Sequence, residues 1–293
     1  TLCGPQGPFG QAEAILSNRG SLLLRSFVEV NPIATSSALY GVLTNLSQIE
    51  LANISGEVRR NLVWALEKLV FHAHIFEESA WCLMLMASAE NESYSNNATG
   101  LFAQLFRVNL SGTEANFLLR LRLLNRAMEL GNSSIDKAII KALESSITTY
   151  GGSRVIGAEH QGAMAPLKEW QPKLWQEVFD YWDAAFEMLI KFVERCDENS
   201  QEAQIVIGRS IRGMIGSGRI SMLNHAITRV VELNGRYWPD ALDSIKTAFA
   251  HDTKGMTEEG ISALKDWLNL LSPDVTNLSE RLKIIIINPP WEH

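Results

Sequence analysis

Apolar residues recur along most of this chain at alternating steps of three and four, the spacing that lines one face of an α-helix. In 57–71 the pattern is carried by Val58, Leu62, Ala65, Leu66 and Leu69, and in 73–90 by Phe76, Ala80, Leu83, Met84 and Ala87. The second segment is apolar nearly all round from Ala80 to Ala87, as expected of a helix covered on several sides. An amphipathic helix followed by a buried one is the repeating unit of α-solenoids and bundles. The longest periodic stretch is 173–196. There Leu174, Val178, Tyr181, Trp182, Ala185, Leu189, Phe192, Val193 and Cys196 form a stripe, and Glu177, Asp180, Asp183, Glu187, Lys191 and Glu194 take the other face.

Start and stop signals divide the rest. Asn31-Pro32 offers an N-cap followed by a proline at the first helical position, opening a helix over 32–44. Ser47 and Glu50 have the spacing of a capping box. Further helices are predicted at 11–19, 21–30, 98–108, 114–131, 133–148, 201–215, 219–233, 239–251, 257–271 and from 273 to about 282. Only Ile284–Ile287 favours a strand, because β-branched side chains suit a pleated surface. The predicted fold is therefore all-α, an α-solenoid or helical-repeat array of antiparallel helix pairs with a possible short strand at its C-terminal end.

One long stretch breaks the helical pattern: 150–172, YGGSRVIGAEHQGAMAPLKEWQP, where glycines and prolines interrupt every period. It suggests an N-terminal lobe over 1–149, a connecting loop over 150–172 and a C-terminal lobe over 173–293. Loops this long in compact domains tend to be functional or disordered. The chain also begins at Thr1 rather than Met and stops just past the strand-like run, which leads us to expect a piece of a longer protein.

Composition narrows the class. Hydrophobic residues make up 46% and charged residues 20%, which is globular rather than disordered. Lys and Arg number 26 against 33 Asp and Glu, for a net charge of -7 and a pI near 5.5. No basic stripe offsets this, so binding through nucleic-acid phosphates is disfavoured. Cys3, Cys82 and Cys196 lie far apart with no metal-ligand spacing and read as reduced thiols of a cytoplasmic protein. No apolar run reaches the roughly 18 residues of a membrane span. Asn-x-Ser/Thr triplets at Asn45, Asn53, Asn91, Asn97, Asn109, Asn132 and Asn277 would suit glycosylation, but most stand where helices begin or end, so capping explains them.

Candidate chemistry is sparse. The glycines between Gly208 and Gly218 suggest a phosphate loop, but the Gly-Lys-Ser/Thr core and a preceding strand are missing, so a helix ending in a glycine-rich turn fits better. His72 and His74 are two residues apart, on different faces of any helix, and suit a helix junction better than a metal. Arg154, Glu159 and His160 hold the elements of acid–base chemistry without a nucleophile motif. Trp170, outside any helix and beside Pro172, is either a plug that docks the loop or a contact anchor.

Seven phrases together carry a resemblance: VNP at 30–32, RRNLVWALEKL at 59–69, FEESAWCLMLMASAEN at 76–91, NNATGLFAQLF at 96–106, LSGT at 110–113, W-x-P at 170–172 and PPWEH at 289–293. They resemble the helical region that follows the nucleotide-binding module in large bacterial STAND-type NTPases, antiviral defence proteins among them. In that family an effector and an ATPase module precede helical repeats that sense a partner. The resemblance implies a non-catalytic module that recognises a protein, a phage protein among the candidates, with no cofactor or metal of its own. Residues Arg154, Glu159, His160, Lys168 and Trp170 are the expected contact surface. A structural or oligomerisation scaffold, or an enzyme with its site near Arg154, Glu159 and His160, are the alternatives.

Overall fold

The computed structural model describes residues 2–4, 6–149 and 168–272, and among these the chain is α-helical with no strand. The helices are α1 (Ala12–Ile15), α2 (Asn18–Val30), α3 (Pro32–Leu43), α4 (Gln48–Asn53), α5 (Gly56–Leu69), α6 (Phe76–Ser88) and α7 (Ala98–Gln104). They continue with α8 (Phe117–Met128), α9 (Ser133–Ser146), α10 (Trp175–Glu194), α11 (Ser200–Gly216), α12 (Ile220–Asn234), α13 (Pro239–His251) and α14 (Glu258–Leu271). The all-α expectation holds. The strand expected at 284–287 and the helix expected from 273 lie outside the described residues.

Local chemistry sets the boundaries. Ser47 accepts from the Glu50 N–H at 3.3 Å while Glu50 Oε2 accepts from the Ser47 N–H at 2.7 Å, which is the predicted capping box. Asn31, Asn97 and Asn132 each cap a helix N-terminus through the side-chain oxygen. Several boundaries differ from expectation: the helix expected over 98–108 ends at Gln104 and the one expected over 73–90 begins at Phe76, and two differences have a capping cause. The 11–19 segment ends early because Ser17 accepts from the Gly20 N–H at 3.0 Å and starts α2. The 114–131 segment begins only at Phe117, because Asn116 caps α8 through the Leu119 N–H at 3.0 Å. The stripe on α10 is buried from Val178 to Val193. Leu174 is 66% exposed before the helix, and Cys196 lies beyond it with φ +52°, so neither belongs to the buried face.

The described residues fall into two compact units. The first takes those up to Ile147 and those from 168 to Ala185, and the second takes 148–149 and those from Phe186 onward. In the first unit α2 and α5 run the same way, since Ser21 meets Asn61, Arg25 lies over Trp64 and Glu29 pairs with Lys68. Likewise α6 and α8 are parallel, with Glu77 on Arg122 and Trp81 under Arg126. Arg59, at the start of α5, instead meets Met86 and Glu90 at the end of α6, so consecutive helices reverse. The core of this unit is centred on α6, where Phe76, Ala80, Cys82, Leu83, Met84 and Met86 are fully buried. Each large apolar side chain so buried contributes about 1.5–3 kcal/mol.

The second unit repeats the scheme. α11 and α13 are parallel, as Arg209 pairs with Asp240 and the Arg212 N–H reaches Ser244 Oγ. α12 and α14 are parallel too, with Ile220 beside Gly260 and the Trp267 indole donating to Asn224 at 2.6 Å. A turn at 217–219 reverses α11 into α12, with Gly218 at φ +75°. Antiparallel pairs whose alternate members run parallel form two layers, the arrangement that stacks in helical-repeat arrays.

Candidate functional site

Of the residues expected to form a contact surface, Arg154, Glu159 and His160 lie outside the described residues. Lys168 is exposed and Trp170 is half-buried in the first unit. The Trp170 N–H donates to the Thr113 carbonyl at 3.0 Å, and its ring meets the edge of Phe117 with centroids 4.7 Å apart. Phe117 in turn stacks on Tyr181 at 3.9 Å, and the Tyr181 hydroxyl donates to the Phe106 carbonyl at 2.8 Å. The geometry is that of a plug docking the incoming chain.

The plug is held by a buried arginine. Arg120 on α8 is 0% exposed and donates to the carbonyls of Ala115 and Arg107, both at 2.8 Å, and to Ser111 Oγ at 3.0 Å. Ser111 passes the charge on, since its hydroxyl and its N–H both donate to Glu169, at 2.9 and 2.6 Å. The guanidinium lies 5.4 Å from the Phe117 centroid and 5.8 Å from that of Trp170. Burial lowers the Arg120 pKa and raises that of Tyr181, while each partly opposes the shift of the other. The Arg120, Ser111 and Trp170 bonds together fasten residues 168–170 to the first unit.

Other sequence candidates also resolve into packing. The glycine-rich 208–218 segment forms the last turns of α11 and the turn after it. His72 is buried at the junction of α5 and α6, with burial lowering its pKa, and its ring lies 5.7 Å from that of His74. Among the described residues no group of three or more His, Cys, Asp or Glu is placed to hold a metal ion. No described helix is long and apolar enough to cross a membrane.

A site that the sequence did not announce lies in the second unit, between the parallel helices α11 and α13. It is a groove of about 1040 Å³. Gly208 lets α13 approach α11 closely, because a Cβ there would stand 2.8 Å from Trp238 Nε1 and 2.9 Å from the Ala241 nitrogen. Side chains at Gln201, Gln204, Ile205, Arg209 and Arg212 line it from α11. The opposite wall is formed by Asn234, Tyr237, Trp238, Asp243 and Lys246. Its arginines are already engaged: Arg209 meets Asp240 at 3.2 Å, and Arg212 grips Asp252 through two nitrogens at 2.6 and 3.1 Å. The Arg212 hydrogen bonds hold the Asp252 pKa below its usual value.

Two groups in the groove wall lack partners. Trp238 is 2% exposed, and its indole N–H meets no acceptor among the described residues; the Tyr237 hydroxyl is buried in the same condition. Burial raises the Tyr237 pKa. The signal in the sequence was slight: the helix predicted at 239–251 begins at Pro239, just after Tyr237 and Trp238, and the face of α11 carrying Gln201, Gln204, Ile205, Arg209 and Arg212 becomes a wall only once α13 lies beside it. Comparison with protein-family models, with curated proteins and with solved structures finds no match for the chain.

Proposed function

We propose that this chain is a non-catalytic helical-repeat module that recognises a protein partner as the sensing region of a larger STAND-type NTPase. The observation that carries the reading is the groove between α11 and α13, an open surface lined by mixed polar and aromatic groups. Mixed surfaces of this kind, with aromatic anchors and a polar rim, suit protein recognition. Three further features support it: helices in antiparallel pairs, the absence of a Gly-Lys-Ser/Thr loop from the sequence, and a net charge of -7 that disfavours nucleic acid. The resemblance of 59–69, 76–91 and 96–106 to such sensing regions supplies the family, and antiviral defence supplies the class of partner, a phage protein.

The test places a photo-crosslinking amino acid at Lys246, and separately at the surface position Glu13, in the full-length protein in bacterial cells. Crosslinks to a phage-encoded protein that form only on infection and only from Lys246 are the expected result. A chain that yields no infection-dependent crosslink from either position, and multimerises on its own, is a scaffold instead.

A further inference from the structure

Resting on the reading as a partner-binding module, we infer that a second hollow, between α2 and α5 in the first unit, binds an acidic polypeptide segment of the partner through three arginines. The hollow measures about 480 Å³ and is lined by Arg19, Leu22 and Arg25 of α2 and by Glu57, Arg60 and Trp64 of α5. These positions recur at steps of three or four, so each set lies on one face of its helix. The two helices run the same way, and the lining on each begins within its first two residues. The positive ends of both helix dipoles therefore meet at one end of the hollow and add to the field of the arginines.

The state of those arginines points to a ligand. Arg19 and Arg60 are exposed and make no hydrogen bond or ion pair among the described residues, and Arg60 faces only the Tyr94 ring, at 6.0 Å. Arg25 lies over Trp64 at 4.3 Å and donates to Asn61 Oδ1 at 3.5 Å. Stacking uses the face of a guanidinium and leaves its in-plane donors for another acceptor. Elsewhere Arg59, Arg122, Arg209, Arg212 and Arg229 each meet a carboxylate, at 2.6–3.2 Å. The chain carries 33 Asp and Glu against 26 Lys and Arg, so scarcity of acids does not explain three arginines left around one hollow. Glu57 is the one carboxylate in the lining and pairs with none of them among the described residues, which leaves the wall net positive.

Spacing selects the kind of anion. Arg19 and Arg25 are six residues apart on α2, about 9 Å along the axis at about 1.5 Å per residue. Two guanidiniums so spaced are matched by two anionic groups rather than one. An extended polypeptide rises about 3.3 Å per residue, so acidic side chains two or three residues apart stand about 7–10 Å from each other. Carboxylates also suit the guanidinium fork, which binds them through two parallel N–H groups. Leu22 stands between Arg19 and Arg25 in the sequence of α2 and is 55% exposed, an apolar contact for a neutral residue between two acidic ones. A nucleotide fits less well, because Arg25 already covers Trp64, the one aromatic ring in the lining on which a base could stack. The net charge of -7 opposes a polynucleotide.

The experiment selects a displayed library of linear peptides of about ten residues, enough to overrun the two arginines, on the intact chain. Counter-selection uses the variant carrying both Arg19→Glu and Arg60→Glu, and survivors are measured by fluorescence anisotropy. Both side chains are exposed, so the variant should keep its melting temperature in circular dichroism. The expected survivors carry two or more Asp or Glu and bind the variant about tenfold more weakly, the combined effect of two exposed ion pairs. Their binding should also weaken as the ionic strength rises from about 0.05 M to about 0.3 M. A library that yields no binder overturns the inference, as do survivors without acidic residues or survivors that the variant holds equally well. Tripolyphosphate and a single-stranded oligonucleotide are the competitors: either one displacing the peptide at a lower concentration than unlabelled peptide assigns the hollow to phosphate and overturns the inference. Self-association of the chain that disappears in the variant overturns it by assigning the hollow to a second copy. An infection-dependent crosslink from Lys246 with no acidic peptide bound leaves the sensing reading standing and removes this site. Acidic peptides bound without any infection-dependent partner do the reverse.

Discussion

Two glycines inside helices behave oppositely because their surroundings differ. At Gly41 on α3 a Cβ would meet nothing within 4 Å, whereas at Gly208 on α11 it would press on Trp238 Nε1 at 2.8 Å and the Ala241 backbone at 2.9 Å. Alanine is the better helix former by about 0.8–1 kcal/mol, and overpacking costs about 1–3 kcal/mol, so the steric effect wins only at Gly208. Gly41→Ala should therefore raise the melting temperature, and Gly208→Ala should lower it, both read by circular dichroism. Two stabilising substitutions would show that α11 and α13 are less closely packed than described. A second residue-scale prediction concerns Arg59, which is 0% exposed and donates to the carbonyls of Leu51, Ile54 and Met86 while pairing with Glu90 at 3.1 Å. One side chain thus satisfies the C-terminal ends of both α4 and α6. Arg59→Lys keeps the charge but loses the planar fork, so the first unit should lose about 2–4 kcal/mol in urea unfolding. A loss below about 0.5 kcal/mol, the ordinary range for surface substitutions, would mean the fork is dispensable.

At the scale of elements, periodicity made the helices legible because each buried face is set by local spacing. Stripes such as Leu62, Ala65, Leu66 and Leu69 on α5 depend on neighbours within one or two turns, and they are buried as the spacing implies. Caps such as Ser47 with Glu50 are local for the same reason. Arg59 and Arg120 were opaque because charged residues read as surface until the carbonyls they serve are brought near by separate elements. The groove was opaque likewise, since α11 and α13 are separated in sequence by the whole of α12. The segment at 168–170 is an intermediate case: Trp170 stood out beside Pro172, but its partners Thr113 and Phe117 lie far away in the sequence. That tie predicts a local effect. Ser111→Ala removes the hydroxyl that links Arg120 to Glu169, so tryptic cleavage after Lys168 and Lys173 should accelerate while the melting temperature moves by no more than about 1–2 °C, as expected when stability is lost locally. Unchanged cleavage would show that Trp170 alone secures the segment.

For the whole molecule, acidification acts through two separable effects. The net charge is -7 with a pI near 5.5, so lowering the pH from 7 removes the repulsion that keeps copies apart. Stability responds through His72, whose buried ring has a pKa below its ordinary 6.5; burial is the main cause, His74 adds to it and Glu114 opposes it. A base with a depressed folded-state pKa takes up its proton more readily when unfolded, so stability is full above 6.5 and declines as the pH falls below it. Asp252, held low by Arg212, adds a loss only at more acid values, below its ordinary 3.8. Between pH 6.5 and 5.5, then, the melting temperature should fall while light scattering rises. His72→Gln should flatten the first response and leave the second intact, because aggregation near the pI depends on total charge rather than on one buried ring. If both responses flatten together, loss of fold rather than loss of charge drives the association. If neither changes, His72 is solvated in the native state and the α5–α6 junction is more open than its 5% exposure indicates.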